Sequence, residues 1–186
     1  MNTTIDDSFE FERKYLVHDR TAIRTTTPSL IVQHYFYAHE GYAVRLRLEA
    51  HNPSPDLVSE IRDLTFVRTI SDRQIEFDVA TLAIKSPSIE GIRYEHESVI
   101  PTEVAIPILL NAGSGIVKFR HHLISDGEVW DVDEFAGANF PLIIAEVEHD
   151  EPVPATQSAS FCVQDVTGDW TYTNEILAIY PYSLRP

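Results

Sequence analysis

Cysteine occurs once in the 186 residues, as Cys162, so the chain can form neither an intrachain disulfide nor a cysteine-based zinc site. Lysine is almost as scarce. Of 14 basic side chains only Lys14, Lys85 and Lys118 are lysines, against 29 acidic side chains and a net charge of −15. That balance excludes the broad basic face needed for non-specific binding to nucleic acid, although a local cluster of cations can still hold a small anion. Long apolar runs are missing as well: Pro141–Ala145 is among the longest, far short of the roughly 20 residues of a membrane-spanning helix. Residues Met1–Asp7 carry no basic segment followed by an apolar one, so no secretory leader is expected and a cytoplasmic protein is the plain reading. Internal repeats and low-complexity tracts are absent. With 44% apolar and 23% charged residues, the chain reads as one globular domain over 1–186.

What is abundant is period-two alternation, the mark of β-strands. It appears in 9–17, 43–49, 79–86, 92–99, 116–124, 129–135 and 143–149. Residues 64–70 and 74–79 flank a short polar break and read as a further hairpin, after a proline-rich loop at 51–56. Helical signals are few: one helix from Pro101, with Thr102 as N-cap and a kink at Pro107, and a short one over 174–179. Residues 150–160 read as a surface loop. Seven to nine strands with few helices predict a mostly antiparallel sheet, closed or nearly so, in an α+β, mostly β fold.

The polar faces of these strands are unusual because long charged groups fill them. Lys14, Arg45, Arg47, Lys85, Arg93, Lys118 and Arg120 all fall there, and so do Glu10, Glu12, Glu95, Glu97, Asp131, Asp133, Glu146 and Glu148. The opposite faces carry residues such as Phe119 and Trp130. Two readings follow. A half-buried sheet could hold these charges in solvent. Alternatively they point inward and line a wet cavity, which requires mutual pairing and a charged ligand because unpaired buried charge is expensive. Clustered carboxylates suit a hard divalent cation, and clustered Arg and Lys suit phosphate oxygens. Eight histidines are present without metal-site spacing and read as surface or core residues.

The residues also carry a resemblance. Glu10-Phe-Glu12-Arg13-Lys14 resembles the ExExK signature of the CYTH family, the triphosphate tunnel metalloenzymes. Further elements follow in the family's order: Gln33-His-Tyr-Phe, Arg45-Leu-Arg47, Leu82-Ala-Ile-Lys85 with Arg93-Tyr-Glu95-His-Glu97, and Lys118-Phe-Arg120. Asp133-Glu-Phe-Ala-Gly137, Ala145-Glu146-Val-Glu148 and the closing segment Asp165–Asn174 complete the match. The chain departs from the family's pattern at Ala83 and Thr171, and is longer than compact bacterial members between Arg47 and Lys85, which marks 51–78 as an insertion.

The resemblance implies an eight-stranded antiparallel barrel tunnel with a few peripheral helices, working with Mg²⁺ or Mn²⁺ on a small anionic triphosphate. It implies that Glu10, Glu12, Asp133, Glu146 and Glu148 hold metal. Lys14, Arg45, Arg47, Lys85, Arg93, Lys118 and Arg120 would clamp phosphates. Glu146, Glu148 and Lys85 would act on the reacting phosphorus and water, backed by Glu95, Glu97 and Asp131. The expected activity is hydrolysis of a terminal phosphoanhydride. Adenylyl cyclase of the class IV type, thiamine triphosphatase and a non-catalytic polyphosphate or nucleotide sensor are the alternatives. The resemblance also implies a homodimer, for which no interface patch is legible.

Overall fold

The computed structural model describes residues 7–72, 74–90, 92–149 and 158–185; the N-terminal segment 1–6 and most of the loop expected at 150–160 lie outside them. The described residues form nine strands, seven of them where alternation predicts and two, β2 and β9, outside those segments: β1 (Asp7–Val17), β2 (Ser29–His39), β3 (Tyr42–His51), β4 (Val79–Lys85), β5 (Ile92–Ile100), β6 (Ile116–Ser125), β7 (Glu128–Phe135), β8 (Ile143–His149) and β9 (Cys162–Asp165). They hydrogen-bond in the order β5-β4-β3-β2-β6-β7-β8-β1, all antiparallel, and β1 pairs back onto β5 to close an eight-stranded barrel. Closure removes the free edges that an open sheet would expose. The hairpin between β2 and β3 turns at Glu40 and Gly41, both at positive φ, the geometry of a two-residue turn matched to strand twist.

β1 has more than one neighbour along its length. Its first half pairs with β5 as far as Phe11–Ile92, and Tyr15–Val17 pairs with the short β9. Between them the backbone of Lys14 is met by residues after β9. Its N–H donates to Thr167 Oγ1 at 3.0 Å, and its carbonyl accepts from Val166 N–H at 2.8 Å. The barrel wall is therefore interrupted beside Glu12 and Lys14.

The apolar faces point outward and are covered. Tyr15, Trp130, Val132, Ala145 and Val147 form one buried cluster with Ile23, and Trp130 packs edge-on against Phe161. The larger cluster covers β2, β3, β4 and β6 through Leu30, Leu46, Leu48, Ala80 and Phe119. Its cover corrects one expectation. Residues 51–78 contain no hairpin; they fold into α1 (Pro55–Ser59), a 3₁₀ turn at Ile61–Asp63 and α2 (Phe66–Ser71). Phe66 and Ile70 stand four residues apart, so a helix aims both at the barrel, as alternation cannot. Beside them runs α3 (Thr102–Leu110), with Pro101 at the N-cap in place of Thr102 and Pro107 held inside the helix. Each large side chain buried this way stabilises the fold by about 1.5–3 kcal/mol.

One end of the barrel interior is apolar. Ile116, Phe135 and Ile144 point inward and meet Leu177 of α4 (Asn174–Ile179), the short helix predicted near the C-terminal end. Asn139 Nδ2 donates to the Leu177 carbonyl at 3.2 Å and fixes this plug. No helix among the described residues is long and apolar enough to cross a membrane.

Candidate active site

Next to the plug the barrel interior becomes charged. A cavity of about 140 Å³ is lined by the cations Lys14, Arg45, Arg47, Lys85, Arg93 and Arg120. The same wall carries Glu10, Glu12, Glu95, Glu97, Glu146 and Glu148. The charged faces turn inward, so the solvated-sheet reading does not hold. Strand register explains which groups meet. Glu10 lies opposite Arg93, Lys14 opposite Glu146, and Lys85 opposite Glu95. Cross-strand partners sit close enough to pair. Lys14 Nζ is 2.8 Å from Glu146 Oε1, Lys85 is bonded to Glu95, and Arg45 reaches both Glu95, at 3.1 Å, and Glu97. Arg120 bridges neighbouring strands, with Nη2 2.7 Å from Asp133 and 3.2 Å from Glu146.

The charges are not evenly balanced. Burial raises the Glu10 carboxyl to about 8, helped by Glu95 and Glu148 and opposed by Lys85. Partial burial raises Glu148 too, and Glu12 and Glu146 add to it. Burial also opposes ionisation of Glu146 and Glu95, but there the cations win. Lys14, Lys118 and Arg120 hold Glu146 at about 2, and Lys85 and Arg45 hold Glu95 at about 2. The reverse imbalance shows at Arg47, lowered to about 10 by burial and by Arg45 and Arg120. Arg47 donates to Gln33 at 3.2 Å, and no carboxylate pairs with it among the described residues. Beyond its ion pairs the cavity thus holds a cation without a carboxylate among the described residues, Arg47, and two carboxyls whose ionisation burial and like-charged neighbours oppose, Glu10 and Glu148. Arg45 Nε and Arg93 Nε are buried without a hydrogen-bond partner among the described residues. Such orphaned donors mark places for a ligand's acceptors.

Three expected site residues are not on the cavity wall. Lys118 is fully buried, paired with Asp133 and 5.6 Å from the centre of the Phe135 ring. Asp133 is held between Lys118 and Arg120, which keep its carboxyl ionised well below the usual range despite burial. Asp131 accepts from Arg120 Nη1 at 2.7 Å and lies 2.7 Å from His122 Nδ1. Lys118 is thus not among the residues that line the cavity, and Asp133 accepts three hydrogen bonds, from Lys118 and Arg120. Alternation assigned their face correctly; depth along the barrel axis decides what they touch. Conversely, Tyr35, Thr173, Asn174 and Glu175 line the cavity and were not singled out from the sequence. Tyr35 was visible two residues after Gln33 on the same strand face. Glu175 sits in a short C-terminal helix, and only tertiary packing brings it inside.

The chain is 36% identical over 107 residues to an inorganic triphosphatase of Acetivibrio thermocellus, a match spanning 56% of this chain and 69% of that protein. The chain belongs to the CYTH family, the triphosphate tunnel metalloenzymes. The crystal structure of the inorganic triphosphatase NE1496 matches with a TM-score of 0.56 and 22% identity, over 91% of this chain and 94% of that one. A second structure of NE1496 matches at 0.55, 21% identity and 91% and 97% coverage. These likenesses carry the CYTH barrel. No family model matches the chain. In this CYTH member the ExExK, RxR and AExE residues lie on the tunnel wall, as the motif order implied.

Proposed function

We propose that the protein hydrolyses the terminal phosphoanhydride of tripolyphosphate or a related triphosphate inside the barrel, with a divalent cation. The observation that carries this reading is that one cavity holds both cation donors without a partner among the described residues, at Arg45 Nε and Arg93 Nε beside the carboxylate-free Arg47, and carboxylates that burial and like charge disfavour, at Glu10 and Glu148. A phosphate chain satisfies the first group and a metal the second. The name of the Acetivibrio relative supports it.

The donor set fits a metal. Glu12 and Glu148 face each other across β1 and β8, an arrangement of like charges that is unfavourable without a cation. Among the described residues no group of three acidic, histidine or cysteine side chains is already gathered for metal. Glu10, Glu12, Glu146 and Glu148 are the residues that would hold one, and their oxygens suit Mg²⁺ or Mn²⁺. Bound there, a divalent cation supplies charge neutralisation at the phosphate oxygens and lowers the pKa of water.

The chain's own residues do the rest. Arg47 presents its guanidinium fork and Arg45 its Nε–H to phosphate oxygens, Lys14, Lys85 and Arg93 complete the clamp, and Arg120, held by Asp131, Asp133 and Glu146, adds positive charge and its remaining Nη1 hydrogen. Their fixed charge stabilises the charge that develops on the transferring phosphoryl group. Glu148 is the better proton acceptor of the two AExE carboxylates. Its raised pKa lies nearer neutrality, whereas Lys14 and Arg120 keep Glu146 a weak base. Lys118 and Asp133 act behind the wall, holding Arg120 in place.

Release of orthophosphate from tripolyphosphate, measured with Mg²⁺, Mn²⁺ or chelator, tests this. Metal-dependent release supports it. Tight binding without release under either metal would assign a sensor instead, and cyclic nucleotide formation from ATP would assign a cyclase.

A further inference from the structure

A second cavity, of about 410 Å³, adjoins the charged one where the barrel wall is interrupted. The two share Glu12, Lys14, Arg93, Thr173 and Glu175. Beyond that shared wall the outer cavity is formed by the β2–β3 turn, by Pro87 and by residues 166–170. Its charged groups there are Glu40 and Asp169, and none of its further described residues is a lysine or arginine. Its two clamp cations, Lys14 and Arg93, both belong to the shared wall, where they are paired with Glu146 and Glu175.

Glu175 stands at that junction. It is only 6% exposed, and its Oε1 lies 3.5 Å from Arg93 Nη2. Its position is not adjustable at low cost. It belongs to α4, whose Leu177 is fully buried in the apolar plug and anchored through its carbonyl to Asn139. We propose that Glu175 sets the length of phosphate chain the site accepts, admitting a triphosphate and rejecting a chain that runs on toward the outer cavity. The inference rests on the triphosphatase reading above.

The reasoning is one of selective repulsion. A triphosphate lies within reach of the inner cations. A fourth phosphate extending outward would leave Lys14 and Arg93 behind, pass the buried Glu175 carboxylate and then meet Glu40 and Asp169, with His39 the one basic side chain among the further described residues. Like charges brought together in a desolvated place are strongly unfavourable, and specificity is commonly built from such a penalty against the wrong ligand. Arg93 plays both parts, paired with Glu175 through Nη2 and available to the ligand through its Nε, which has no hydrogen-bond partner among the described residues.

The test compares kcat/KM on tripolyphosphate, tetrapolyphosphate and a longer polyphosphate, with metal, for the full chain and for E175Q. Wild type favours tripolyphosphate, and E175Q narrows its preference over tetrapolyphosphate by about tenfold or more. Thr173→Arg, which adds a cation at the same junction and keeps the backbone carbonyl that accepts the Leu177 N–H, shifts the preference in the same direction and covers the case in which E175Q fails to fold. A preference unchanged in the folded variants overturns the proposal. Wild type that cleaves none of the three overturns the triphosphatase reading itself, a different and recognisable result.

Discussion

Glu12 on β1 stands directly opposite Glu148 on β8, two residues along from the pair formed by Lys14 and Glu146. The same two strands thus hold one pair of opposite charges and one pair of like charges, the latter only partly offset by Lys14, whose Nζ is 3.8 Å from Glu12 Oε1. The first pins a cation in the wall, and the second leaves negative charge for an ion that the chain itself does not supply.

Removal of the Glu148 carboxylate distinguishes proton transfer from binding. E148Q is expected to lower kcat on tripolyphosphate by about 10²–10⁴-fold, the usual range for a general base. Its KM changes little. Steady-state kinetics at saturating metal check this, and a loss confined to KM would contradict the assigned role.

Arg120 is the hub of the buried network, bonded to Asp131, Asp133 and Glu146 at once. R120K keeps the charge and loses the fork. It is expected to lower kcat/KM by about a hundredfold, because a lysine cannot reproduce planar, multidentate contacts. The measurement is kcat/KM alongside thermal unfolding, so that a folded but slow enzyme is recognised as such.

Glu10 gives the metal-free protein a pH-dependent stability with a definite sign. Its carboxyl titrates near 4.5 when unfolded and near 8 when folded. The folded state therefore holds a proton that the unfolded state has lost across this window, and stability falls as pH rises through it. Compared with wild type, E10Q is expected to unfold at higher temperature at pH 8.5 and at about the same temperature near pH 4.5. Added Mn²⁺ is expected to narrow the difference at pH 8.5. Thermal melts of the chelated protein across this range are the check.

How much of this was legible beforehand differed by element. Strand alternation showed which side chains share a face but left open whether the charged rows meet solvent or a cavity; the order of the CYTH motifs is what pointed them into a barrel. Residues 64–70 suggested a strand rather than a helix because Leu64-Thr-Phe-Val-Arg-Thr-Ile70 is rich in residues that favour strands. Its helix forms only against the outer face of the barrel, where Phe66 and Ile70 are buried. The displacement of Lys118 from the cavity was hidden for another reason. Period two gives the face of a residue and not its depth, and only the plug of Phe135 and Leu177 shows that Lys118 lies beneath the floor.

The insertion helices belong to the main core, so their loss is expected to act on folding before it acts on substrate choice. Phe66→Ala should destabilise by about 3–5 kcal/mol. Gly115 reports the same packing, since a Cβ there would fall 2.4 Å from the Phe66 ring and 2.3 Å from the Gln33 carbonyl oxygen. Gly115→Ala is accordingly expected to destabilise as well, and chemical denaturation measures both. A Phe66→Ala protein of wild-type stability would contradict the place given to α2.

The most direct test follows tripolyphosphate by ³¹P NMR with Mg²⁺ or Mn²⁺, for wild type and for Lys85→Ala. The account predicts one orthophosphate and one pyrophosphate per tripolyphosphate, formed only with metal, and a rate that collapses when Lys85 is removed. Cleavage that proceeds equally well with chelator, or that survives Lys85→Ala unchanged, would contradict it.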